Sequence, residues 1–135
     1  MSDGAPLTKE DWGKFALRLA IGGLMLFHGI DKLTGGIDGI SGMVEAKGLP
    51  AALAYGVYVG EILAPLAILV GFRVRTAGLI FAGNMAVAVY LAHMGDLTSL
   101  GSHGGYALEL QFLYLLGGLA VAGIGGGRLA LGRKF

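Results

Sequence analysis

Four long apolar stretches with few charges dominate the hydrophobic pattern of the chain. They run from about 12 to 33, 51 to 72, 74 to 94 and 105 to 125. A helix rises 1.5 Å per residue and needs about 20 mostly apolar residues to cross a hydrocarbon core. The pattern therefore predicts an all-α integral membrane bundle of four transmembrane helices, a single membrane domain over 1–135. Thr8 followed by Asp11 resembles a capping box, with Asp replacing the usual Glu, and predicts a helix start near Lys9. Pro50 is placed well for the first position of the second helix.

Between the stretches the loops read as short, apart from the first. That loop places Ile37, Ile40, Met43 and Val44 at helical spacing. It reads either as an amphipathic turn on the membrane surface or as an irregular glycine-rich loop. Pro65 lies inside the second span and is expected to kink it and free a carbonyl near Glu61. Gly22, Gly23, Gly78, Gly83, Gly117 and Gly118 lie within the spans. Small residues let membrane helices approach closely, so these predict helix contacts, and they are compatible with a homo-oligomer. The glycine-rich run 123–128 follows a helix instead of a strand, so it is no phosphate-binding loop.

Composition strengthens the membrane reading. Hydrophobic residues make up 55% and charged residues 14% of the chain, and mean hydropathy is +0.72. Soluble domains carry about 25% charged residues. With no cysteine, disulfides, thiolate metal sites and CxxC redox chemistry are excluded. A net charge of +1 makes no case for nucleic acid. The first 14 residues are polar and lack a signal-peptide core, so the first span is expected to be retained.

Charge also orients the bundle. Lys9, Lys14, Arg18, Arg73, Arg75, Arg128, Arg133 and Lys134 fall on one side of a four-span topology, and only Lys32 and Lys47 on the other. Cytoplasmic loops carry the excess of Lys and Arg, so both termini are expected to be cytoplasmic.

Ionisable groups inside a membrane cost about 2.5–3.5 kcal/mol at a helix centre. The candidates are Arg18, His28, Asp31, Lys32, Glu61, Asn84, His93, Glu109 and Gln111. Arg18, one turn inside the cytoplasmic boundary, is expected to snorkel to the headgroups, with ligand binding as its functional alternative. Asp31 and Lys32 read as a surface ion pair. Glu61 is the deepest, and a neutral hydrogen bond to Asn84 is its structural explanation. The functional explanation is a polar site in the outer half made by His28, Glu61, His93 and Glu109. Two His and two carboxylates can ligate a divalent metal, or hydrogen-bond the carbonyls of a quinone and pass protons to it. The Glu-x-x-His of helical di-iron sites is absent, and an apolar bundle suits a lipid-soluble ligand better. His28-x-x-Asp31 and His93-x-x-Asp96, each followed by a helix with one acid, also suggest an internal repeat.

These residues carry a resemblance. The run 17–32, with Arg18 early and Gly29-x-x-Lys32 at its end, resembles the opening of DoxX-family membrane proteins. Gly60-Glu61 with 71–75, Glu109 within 104–109, and 127–131 resemble later parts of that family, in order, from about residue 15 to 131. The resemblance implies a four-helix, multi-pass inner-membrane protein associated with redox processes. Two positions depart from the family pattern: Ala130 replaces a serine and Gly132 an acid. The resemblance and the polar residues together lead to the expectation of a quinone-linked membrane component that passes electrons or anchors a soluble oxidoreductase. Glu61 and Glu109 would handle protons, while His28 and His93, with Asn84 and Arg18, would bind the ligand. The alternative is a small transporter or scaffold whose polar groups only fix helix register.

Overall fold

The computed structural model describes residues 4–132. Arg133 and Lys134, which entered the charge count, lie outside the described residues. Helix α1 is Lys9–Gly35, α2 is Asp38–Ala46, α3 is Ala51–Val70, α4 is Val74–Ala92 and α5 is Glu109–Ile124. No strand forms among the described residues, and one isolated bridge joins Leu100 to Tyr106.

Helix α1 starts where the sequence predicts. Asp11 N–H donates to Thr8 Oγ1 at 3.2 Å, and Thr8 N–H donates back to Asp11 Oδ2 at 2.9 Å. Two of the orphan donors at the helix start are thereby satisfied. The amphipathic turn expected after α1 is a true helix, α2. Its Val44 is buried, and with Ile37 and Ala54 it forms a small cluster against Val57, Tyr58 and Leu91 of α3 and α4. The main core lies between the long helices and is built from Ile21, Met25, Ile68, Phe81, Met85, Tyr114 and Val121.

Helices α1, α3 and α4 are long and apolar enough to cross a membrane. Their outer faces agree: Phe27 is 73% exposed and Leu63, Leu79 and Val87 are exposed as well. Soluble monomers rarely expose such contiguous apolar area, so the surroundings are a bilayer. Helix α5 departs from the expectation. It begins at Glu109 instead of near 105 and has 16 residues, about 24 Å at 1.5 Å per residue. Its start is displaced because Gly104 sits at φ +90° and Tyr106 is tied back, its Oη donating to the Leu97 carbonyl at 2.6 Å. The connection 93–108 is accordingly longer than the short loop expected.

Pro65 does not act as a simple kink. The turn before it, Val59–Leu63, has π spacing, and Ala64 N–H donates to Val59 five residues back. Proline removes the donor that an α-helix would offer the Glu61 carbonyl, and the wider turn accommodates the loss. A matching π turn, Leu19–Gly23, interrupts α1.

Glycines bring the helices together unevenly. A Cβ at Gly78 would press on the Gly118 carbonyl, and one at Gly22 on the Pro65 carbonyl. Gly83, expected to pack, has open space beside it. One of the tightest approaches lies outside the glycines expected to pack. A Cβ at Gly29 would overlap the Glu61 carbonyl and the Ile62 side chain. Gly29→Ala is therefore expected to destabilise by about 1–3 kcal/mol, the usual cost of overpacking. Thermal unfolding in detergent checks this, and an unchanged midpoint contradicts it.

Candidate functional site

The last turn of α1 and the π turn of α3 meet across Gly29. That contact lets Lys32 Nζ reach Glu61 Oε1 at 3.1 Å. Glu61 is 8% exposed, and the Lys32 side chain is mostly covered. The same turn is pinned a second time, because Tyr58 Oη donates to the Lys32 carbonyl at 3.3 Å. An ion pair removed from water needs such fixed geometry to repay its desolvation. This pairing replaces both sequence expectations for its members. Lys32 pairs with Glu61, not with Asp31, and Glu61 makes no hydrogen bond to Asn84. The Asn84 side chain instead lies over the Cα of Gly60, where a Cβ would collide with it.

Two cavities meet at the pair. The smaller, about 160 Å³, is lined by His28, Lys32, Glu61, Asn84, His93, Gln111 and Tyr114, with Met25 and Met85. The larger is a groove of about 570 Å³ running under α2 between α3 and α4. Its walls are apolar: Ile40, Met43, Leu53, Val57, Ile80, Val87 and Leu91. Gly83 lines it too, which explains the open space there. Lys32, Glu61, Asn84 and His93 border both cavities. The arrangement is an apolar trough with a compact polar end, a combination typical of ligand sites.

The structure therefore brings together His28, Glu61, Asn84 and His93, and adds Lys32, Gln111 and Tyr114. His28 stands edge-on to Tyr114, ring centroids 6.1 Å apart. His93 ends α4, with Nδ1 3.9 Å from Asp96 Oδ2. Among the described residues no three His, Asp or Glu side chains converge as metal ligands would. Glu109 lines neither cavity. It stands exposed on the first turn of α5, its carboxylate folded over Gly105, where the helix dipole favours a negative charge. The two halves of the suspected repeat thus differ, since Glu61 has a lysine partner across a helix contact and Glu109 does not.

Arg18 is also apart from the site, at the other end of the bundle. It does not snorkel: it is 1% exposed. Its Nε donates to the Ile68 carbonyl at 2.8 Å and Nη2 to Leu69 at 2.8 Å. Nη1 donates to Gly126 at 2.9 Å and to Leu129. The guanidinium thus caps the C-terminal end of α3 and holds the chain that follows α5.

Sequence reasoning gave Lys32 to a surface ion pair instead of the site, and it did not single out Tyr114. The available signal was a lysine and a glutamate in helices that are antiparallel neighbours, flanked by Gly29 and Gly60, which permit a close crossing. Against known proteins, the model of the DoxX family matches residues 13–94. That span holds Arg18, His28, Lys32, Glu61, Asn84 and His93, and excludes Glu109. No curated protein and no solved structure matches the chain.

Proposed function

Since the chain belongs to the DoxX family, we propose that it is the membrane component of a quinone-linked oxidoreductase in the inner membrane, with the groove and its polar end as the quinone site. The observation that carries this reading is the Lys32–Glu61 pair at the polar end of an apolar trough. The chemistry of the lining fits the group. The Lys32 ammonium and the His93 imidazole can donate to ring carbonyls, and Glu61 and the Asn84 carbonyl oxygen can accept from ring hydroxyls. The trough would take an isoprenoid tail. A bound quinone supplies two-electron redox chemistry, which this cysteine-free chain lacks. The residues of the chain bind and orient the ring and exclude water, and the Glu61 carboxylate is placed to accept a hydrogen bond from a ring hydroxyl.

In this reading all four long helices cross the bilayer, with both termini cytoplasmic. Helix α5 is short for a core of about 30 Å, a mismatch that local bilayer thinning accommodates. The hydrogen bonds of two arginines support a shared side for the basic segments. Arg18 ties α3 to the chain after α5, and Arg128 Nη1 donates to the Pro6 carbonyl at 2.9 Å. Electrons would come from a soluble oxidoreductase docked on the membrane face.

A quinone carrying a photoreactive tail tests the site. Irradiation of the full-length protein in nanodiscs is expected to label Val57 or Leu91, which line the groove and are half-buried, in competition with unmodified quinone. Labelling spread over the lipid-facing residues, without competition, would contradict the reading.

A further inference from the structure

We propose that a third pocket, at the end of the bundle remote from the Lys32–Glu61 pair, binds the phosphate of an anionic phospholipid headgroup. The pocket has a volume of about 230 Å³ and is lined by Lys14 of α1, Arg75 of α4 and Arg128 after α5. Lys14 and Lys32 are separated by 18 residues of α1, about 27 Å along a helix, so the two sites are distinct.

Charge is the first argument. Three cations and one carboxylate, Asp11, line the pocket, a formal balance of +2 (three minus one). Asp11 is committed to structure: Oδ2 accepts from Thr8 N–H at 2.9 Å, and Oδ1 accepts from the Arg128 backbone N–H at 3.1 Å. Arg75 is held in place by the end of α5, its Nη1 donating to the Ala122 carbonyl at 3.0 Å and to Gly123. Its Nε and Nη2 make no hydrogen bond to a described residue. A guanidinium so placed keeps donors for phosphate oxygens.

Shape is the second. One wall is the backbone of 125–127. Gly125 and Gly127 have φ of +79° and +76°, conformations that side chains rarely adopt. The wall therefore presents no side chain between the cations and an incoming headgroup. Location is the third. Trp12, about half exposed, flanks the same end of the bundle, and indole rings sit at headgroup level. Basic pockets between membrane helices on that face are suited to lipid phosphates.

Lipid binding to the full-length protein, counted by native mass spectrometry in detergent, tests the proposal. The wild type is expected to retain one phosphatidylglycerol in preference to phosphatidylcholine. Lys14→Gln should weaken that preference about fivefold, the worth of one cation near an anionic surface, and Lys14→Arg should keep it. Lys14 donates no hydrogen bond within the described residues, so the thermal midpoint should not move. Arg73→Gln removes a charge from the same face outside the pocket and should leave the preference unchanged. No preference in the wild type, or equal losses in Lys14→Gln and Arg73→Gln, overturns the proposal. Displacement of the lipid by inorganic phosphate at equal concentration assigns the pocket to free phosphate and also overturns it. The outcome is independent of the quinone reading, since neither Lys14 nor Arg73 borders the groove.

Discussion

Arg18→Met is expected to lower the stability of the protein by about 3–5 kcal/mol, the range seen when a buried charged contact loses one partner. The reason lies in four carbonyls. The last turn of α3 has orphan acceptors, as every helix end does. Ala67 is satisfied by the N–H groups of Gly71 and Phe72, and Val70 by Leu131 N–H. Ile68 and Leu69 depend on Arg18, as do Gly126 and Leu129. Methionine fills much of the volume and offers no donor. Buried acceptors left unmet cost about 1–3 kcal/mol each, though water entering from the membrane face would relieve some. Arg18→Lys should restore little, because an ammonium cannot reproduce the planar fork that spans two chain segments. Reversible unfolding in detergent, followed by Trp12 fluorescence, measures the loss. A change under about 1 kcal/mol, the upper end for a solvent-exposed ion pair, would show that the snorkelling expectation was nearer the truth. A tail released from α3 should also become sensitive to protease near Leu129.

Glu61→Gln is expected to weaken quinone binding by about 10- to 150-fold. Hydrogen bonds to a charged group contribute about 1.5–3 kcal/mol, and about 1.4 kcal/mol is a factor of ten. Glutamine keeps the shape and removes the charge that fixes Lys32. The ammonium then loses its partner in the mostly covered site, so Lys32→Met should weaken binding to a similar degree. The two substitutions act on one pair, and their effects should be strongly non-additive. If the pair serves only to set helix register, Glu61→Gln should leave ligand binding untouched. Stability alone does not separate these readings, because an interhelical ion pair and a ligand site both suffer when one partner is removed. Binding and stability must be measured on the same variants.

Much of the fold was legible because it follows from apolar length. Helix α1 was expected over 12–33 and found at Lys9–Gly35, and α3 and α4 begin within one residue of their expected starts. The capping box at Thr8 and Asp11 was readable because its geometry is local. The start of α5 was not, since Gly104 and the Tyr106–Leu97 hydrogen bond set it through the loop. Arg18 shows the limit of depth as a guide. Its position near a boundary suggested snorkelling, but its role is decided by carbonyls 50 and 108 residues away in the chain. Lys32 was misassigned for the same reason. Asp31 is next to it in sequence, while Glu61 is next to it in space. Glu109 matched Glu61 in the sequence repeat, yet the bundle places the two carboxylates in different surroundings.

The most direct test of the central claim is quinone titration of the charge-swapped variant, Lys32→Glu with Glu61→Lys, beside the wild type and each single substitution. The swap preserves an opposite-charge pair between α1 and α3 but exchanges which side of the polar end donates and which accepts. If the pair is the recognition element of a ligand site, the swapped protein should regain most of the thermal stability lost by the single variants. It should still bind quinone at least about tenfold more weakly than the wild type. Wild-type affinity in the swapped protein, or no saturable binding in the wild type itself, would contradict the account.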